Sequence, residues 1–124
     1  MANFLSLAEV LAIHTDQIEK YGGSHGIRDP GQLESALFRP QSGYYDDANQ
    51  QAAAVWESLS QNHPFIDGNK RTAFAVTYTF LLINHIVITA DANQIWQFLS
   101  KNYESGQMRY EVLYAWLQQN TRQI

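Results

Sequence analysis

The sequence predicts a single all-α domain, and three observations carry that prediction. Apolar residues recur at three- and four-residue intervals in successive segments, which places them on one face of a helix. Capping residues stand where those segments begin, and glycine or proline stands where they end. One stretch, residues 69–84, is apolar on most sides, as a helix surrounded by others must be. With 124 residues the chain has length for one core and not for two. The expected architecture is a compact domain over 1–124, with five to six helices around a buried central helix.

The first helix, over residues 6–20, starts at Ser6 with Glu9 as a capping box. It carries Leu7, Val10, Leu11, His14, Ile18 and Tyr21 on one face, and Gly22-Gly23 stops it. Asp29-Pro30 starts a second, short helix with Leu33, Ala36 and Leu37, which ends before Pro40. Asp46 and Asp47 open a third, whose stripe is Ala52, Val55, Trp56 and Leu59 and which Pro64 terminates. The central helix follows Gly68. Asp91 caps a fifth with Ile95, Trp96, Phe98 and Leu99, and the last carries Val112, Leu113, Trp116 and Leu117. The three tryptophans read as core. Residues 86–88 are β-branched but too few to predict a sheet. Any β structure is expected as a small flap or hairpin near 22–29.

Composition narrows the function classes. Hydrophobic residues at 45% and charged residues at 16% exclude a disordered chain. A net charge of −4 argues against direct nucleic-acid binding. Cysteine is absent, so there is no thiolate nucleophile or thiolate metal site. Residues 1–20 lack a basic leader, and the longest apolar run, 73–83, is too short to span a membrane. The expectation is a cytoplasmic protein with no membrane role.

Chemistry concentrates in residues 63–72, His-Pro-Phe-Ile-Asp-Gly-Asn-Lys-Arg-Thr. This segment leads into the N-terminus of the central helix, where unpaired N–H groups favour an anion. Gly68 permits close backbone approach. Lys70 and Arg71 are cations at the helix end that disfavours them, unless an anion sits there. Asp67 is a hard oxygen ligand suited to Mg²⁺, and His63 can exchange a proton near neutral pH. Base, metal ligand and anion cradle are the parts of a phosphoryl-transfer site. A P-loop is excluded, because Asn69 separates Gly68 from Lys70.

This segment resembles the core motif of the Fic/Doc superfamily, H-P-F-x-[DE]-G-N-[GK]-R, at every position from His63 to Arg71. Lys70, followed by Thr72-Ala73, is similar to the Doc (death-on-curing) toxin branch. The likeness extends upstream through Tyr21-Gly22-Gly23, residues 26–31 and 34–37, and Arg39-Pro40. The resemblance implies His63 as general base toward a target hydroxyl and Asp67 as the ligand of nucleotide-bound Mg²⁺. It implies Gly68, Asn69 and Lys70 as anion hole, Arg71 as phosphate clamp and Phe65 as loop anchor. Gly23, Ser24, His25, Gly26, Ile27 and Arg28 would form a flap that aligns the target by strand addition. The implied activity is that of a type II toxin. It would be a Mg²⁺- and ATP-dependent kinase phosphorylating a Thr or Ser of a translation protein, elongation factor Tu, and so halting translation. The implied partner is a Phd-like antitoxin.

Two other readings stay open. AMP-transferring members have Gly at the Lys70 position and a second Arg where Phe74 stands, so AMP or other nucleotidyl transfer is the alternative. A catalytically inactive anion-binding regulatory module is the second. An inhibitory [ST]-x-x-x-E-[GN] pattern is met only in its first five positions, at 15–19 and 100–104. Outside the motif, His14 reads as a core histidine, and Arg28 and Asp29 read either as a surface pair worth little or, as the resemblance implies, as residues that fix the flap.

Overall fold

The computed structural model describes residues 2–124. It holds six α-helices: α1 Leu7–Tyr21, α2 Pro30–Phe38, α3 Ala48–Asn62, α4 Asn69–Ile83, α5 Ala92–Ser105 and α6 Tyr110–Gln119. A single 3-10 turn, Arg39–Gln41, follows α2. The caps read from the sequence at Ser6, Asp29 and Asp91 are formed, and Asp47, expected only to favour the helix dipole, is a cap as well. Ser6, Asp47 and Asp91 each make a reciprocal capping box, and the Asp29 side chain accepts from the Gln32 N–H.

The helices do surround a central one, but the most enclosed helix is α3. Ala52 to Trp56, Ser58, Leu59 and Ser60 are all buried there. Three consecutive alanines let α2, α4 and α6 approach its axis. Helix α4 buries Thr72, Ala73, Val76, Thr77, Phe80 and Leu81 but leaves Tyr78 and Leu82 exposed. Its all-round apolarity therefore serves two surfaces, a core and an open groove. Trp56 lies at the centre of an aromatic cluster with Phe74, Phe98 and Trp116.

Three expectations need correction. Residues 86–88 do form a strand, β1 Ile86–Ile88, antiparallel to β2 Thr121–Gln123 with Val87 opposite Arg122. The partner strand is polar and lies at the far end of the chain, so no local pattern announces it. Residues 22–29 form no hairpin; they run as irregular backbone along the loop after α3, bending at Gly26 and Arg28 around one antiparallel bridge from Ile27 to Phe65. Trp96 is not core but 68% exposed. Helix α5 turns Phe98 inward against Trp56 and Trp116, which leaves Trp96 on its outer flank.

Candidate active site

The loop between α3 and α4 is held by residues that do no chemistry themselves. Pro64 ends α3, and His63 caps it in the left-handed region at φ 46°, ψ 57°. Phe65 is fully buried, and its ring stacks on His14 at 3.8 Å between centroids. The Asn69 side chain closes the loop on itself, accepting from the Phe65 N–H at 2.9 Å and donating to the Phe65 carbonyl at 3.0 Å. His14 Nε2 lies 2.8 Å from the Asp67 carbonyl, which can only accept, so that nitrogen carries the proton.

The entry to α4 is open. Its N-cap, Gly68, has φ 73° and offers no side-chain cap. Helices α1, α2, α3 and α5 are capped by their own side chains, and the first N–H of α6 donates to Glu57 Oε2 at 2.6 Å. Among the described residues α4 is thus the α-helix whose first N–H groups, at Asn69, Lys70 and Arg71, are left without a side-chain acceptor. The Asn69 side chain is committed to the loop, so its share in an anion cradle can come only from its main chain. A β-carbon at Gly68 would lie 2.9 Å from Ile18 Cδ1. That atom is the end of a side chain and can shift, so it is the φ of +73° that favours glycine here.

Asp67 sits just before this helix end. Its Oδ1 accepts from the Gly68 N–H at 2.8 Å, and its Oδ2 from the Ser24 N–H at 3.1 Å. Those two N–H bonds, with lesser help from Arg71 and His14, hold its carboxyl below the usual range. It is therefore a carboxylate at neutral pH. One exposed carboxylate beside an anion cradle fits Mg²⁺, which takes one or two carboxylates and draws its other oxygens from phosphate and water. No group of three or more His, Asp or Glu converges among the described residues, so an all-protein metal cage is not formed.

The two cations rest on aromatic rings. Lys70 Nζ lies 4.9 Å from the Tyr103 ring centroid. Arg71 lies 5.8 Å from the Tyr21 ring centroid and donates to the Gly22 carbonyl at 2.9 Å. Tyr103 is itself fixed by a 2.8 Å bond to Ser60. Burial raises its hydroxyl pKa, and the Ser60 bond opposes this only partly.

The 22–29 segment lies against the same loop. Ser24 contacts Asp67, the Ile66 N–H donates to the Gly26 carbonyl at 3.1 Å, and the Arg28 and Asp29 N–H groups both donate to the Pro64 carbonyl. Gly23 and Gly26 sit at φ +118° and +120°, which favours glycine, and a β-carbon would also come 2.7 Å from Asp67 Oδ2 and from Ile66 Cδ1 respectively, the latter the end of an exposed side chain that can turn aside. His25 Nε2 lies 3.7 Å from Glu19 Oε1. Arg28 is turned to the end of α3, with Nε 2.7 Å from the His63 carbonyl and Nη2 2.7 Å from the Asn62 carbonyl.

His63, Asp67, Gly68, Asn69, Lys70 and Arg71 line one cleft of about 1250 Å³. The cleft runs on between α4 and α5 past Phe74, Tyr78, Trp96 and Tyr103, none of which the motif marks. Ser100 and Glu104 also line it, yet Arg71 is bonded to Gly22 and not to Glu104. His14 is buried as expected, but its bond to Asp67 also makes it part of the site. The stacked partner, Phe65, is in the motif; nothing in the sequence pairs the two.

An uncapped helix end with two cations, a carboxylate, an exposed histidine and a backbone segment alongside are the parts that anion binding and phosphoryl or nucleotidyl transfer require. The Fic/DOC family model matches residues 4–81, which spans this whole assembly, and the chain belongs to that family. It is 46% identical over 76 residues to "Toxin Doc" of Mycolicibacterium smegmatis, covering 57% of this chain and 58% of that protein. It is 33% identical over 88 residues to "Protein kinase doc" of Escherichia phage P1, covering 68% of this chain and 70% of that one. The match thus spans little more than half the length of the mycobacterial relative. No helix among the described residues is long and apolar enough to cross a membrane.

Proposed function

We propose that this protein is a toxin of the Doc type that transfers the γ-phosphate of ATP to a Thr or Ser hydroxyl of a protein target, elongation factor Tu by resemblance. The observation that carries the reading is the uncapped N-terminus of α4, with Lys70 and Arg71 on it and His63 and Asp67 in the same cleft. The family match and the relative named a protein kinase support it. Lys70 and Phe74, in place of Gly and a second Arg, favour kinase chemistry over AMP transfer.

In this reading His63 accepts the proton of the target hydroxyl as its oxygen attacks the γ-phosphorus. The bond to the β-phosphate oxygen breaks, and ADP leaves. The N–H groups at the start of α4, Lys70 and Arg71 bind the phosphate oxygens where negative charge is concentrated. The resting contacts of Lys70 and Arg71 keep both cations near the cleft without a competing carboxylate. Asp67 would hold Mg²⁺, which neutralises phosphate charge when bound. Gly23 to Arg28 would present backbone groups to the target chain. A Phd-like antitoxin would regulate the enzyme by covering the cleft between α4 and α5, where Tyr78 and Trp96 are exposed.

The test is transfer to elongation factor Tu with Mg²⁺ and ATP labelled at either the α or the γ position. Label from γ alone is expected, and His63→Ala should lower the rate ~10²–10⁴-fold. Label from α would replace the kinase reading with nucleotidyl transfer. An undiminished rate in His63→Ala would refute His63 as base.

A further inference from the structure

We infer that Arg28 is a positioning residue for His63, tying the orientation of the general base to the 22–29 segment, and not a contact for the target. The inference rests on the reading of His63 as base. Three features carry it. The guanidinium spends its fork on two consecutive carbonyls, Asn62 and His63, each at 2.7 Å. Those carbonyls lie at the C-terminus of α3, where the helix has no N–H left to give them and where a cation is favoured. The backbone being held is at φ 46°, a left-handed conformation that a residue other than glycine keeps only when neighbours enforce it.

The root of Arg28 is rigid. Its own N–H and that of Asp29 donate to the Pro64 carbonyl at 2.8 and 3.0 Å. Asp29 in turn caps α2 through Gln32. A side chain anchored at that root, with its donors on the carbonyls of residues 62 and 63, fixes the peptide from which the imidazole projects. The main-chain bonds do not depend on the side chain, so its removal frees His63 locally while the 22–29 segment stays in place. Lysine could reach one carbonyl as a point charge but cannot reproduce the fork.

The experiment compares wild type with Arg28→Ala and Arg28→Lys by ¹⁵N relaxation and by steady-state γ-phosphate transfer to elongation factor Tu. Thermal unfolding confirms that each variant is folded. The His63 amide order parameter should fall from about 0.85 to below about 0.6 in Arg28→Ala, with less change in Arg28→Lys. Turnover should fall ~10–100-fold, with the KM for ATP unchanged within about twofold and partial recovery in Arg28→Lys. A rigid His63 in Arg28→Ala overturns the proposal. So does a loosened His63 with turnover intact, or a rise confined to the KM for the target. The relaxation result decides the positioning even if elongation factor Tu takes no label. His63→Ala separately decides the base, so the two failures are distinguishable.

Discussion

Replacing Gly23 by alanine should disturb Asp67 from across the site, although residue 23 carries no chemistry. Gly23 has φ +118°, and an added β-carbon would stand 2.7 Å from Asp67 Oδ2 and 3.1 Å from Ile18 Cδ1. The backbone strain alone is worth ~1–3 kcal/mol. With ~2.1 cal/mol/K of unfolding entropy per residue, a chain of 124 residues has about 0.26 kcal/mol/K, so Tm should fall by ~4–12 °C. The carboxylate must also retreat by about 0.7 Å, from 2.7 Å to the 3.4 Å of ordinary contact, and so leave the Ser24 N–H. Disturbing such a supporting contact weakens metal affinity by ~10–100-fold, and Mg²⁺-dependent ATP binding should weaken on that scale. Gly22→Ala is the control. Its φ of +86° carries comparable strain, but a β-carbon there meets nothing within 4 Å. Calorimetric unfolding and ATP titration of both variants, with and without Mg²⁺, separate strain from collision. Similar Tm losses are expected, with the binding defect in Gly23→Ala alone. Equal binding by the two variants would refute the argument that Gly23 makes room for Asp67.

Two further outcomes are expected. Trp56→Ala removes a fully buried ring from the aromatic cluster and should cost ~3–5 kcal/mol, read as a loss in denaturant midpoint at unchanged slope. The folded-state pKa of Asp67 lies below its ordinary 3.8, so its contribution to stability is complete above that value and disappears as pH falls through the folded value. The Tm difference between wild type and Asp67→Asn should therefore shrink below about pH 4, and a constant difference would refute the assignment.

Much of the fold was legible because helices announce themselves locally. Ser6, Asp29, Asp47 and Asp91 marked helix starts that the structure keeps, since a cap is a bond between residues three apart. Trp96 was misread because a stripe shows which residues share a flank, not how far round the core extends. Strand β2 was missed because its pairing with β1 joins segments more than thirty residues apart. The motif residues were legible as types in a pattern, but the roles of their neighbours were not. Arg28 sits in the segment expected to meet a target, and its side chain is instead bonded to the end of α3.

The sequence by itself determined the helices, most of their caps, and the order of histidine, carboxylate, glycine and cations along one loop. These are properties of adjacent residues, set by helical period, cap chemistry and the freedom of glycine. Only the tertiary structure decided that α3 is the enclosed helix and that α4 divides its apolar surface between core and cleft. It also brought His14 to Asp67, Tyr103 to Lys70, Gly22 to Arg71 and Arg28 to His63. Each of those pairs joins residues more than thirty positions apart. Such a contact depends on how whole helices pack, and the packing is settled by the burial of many side chains together.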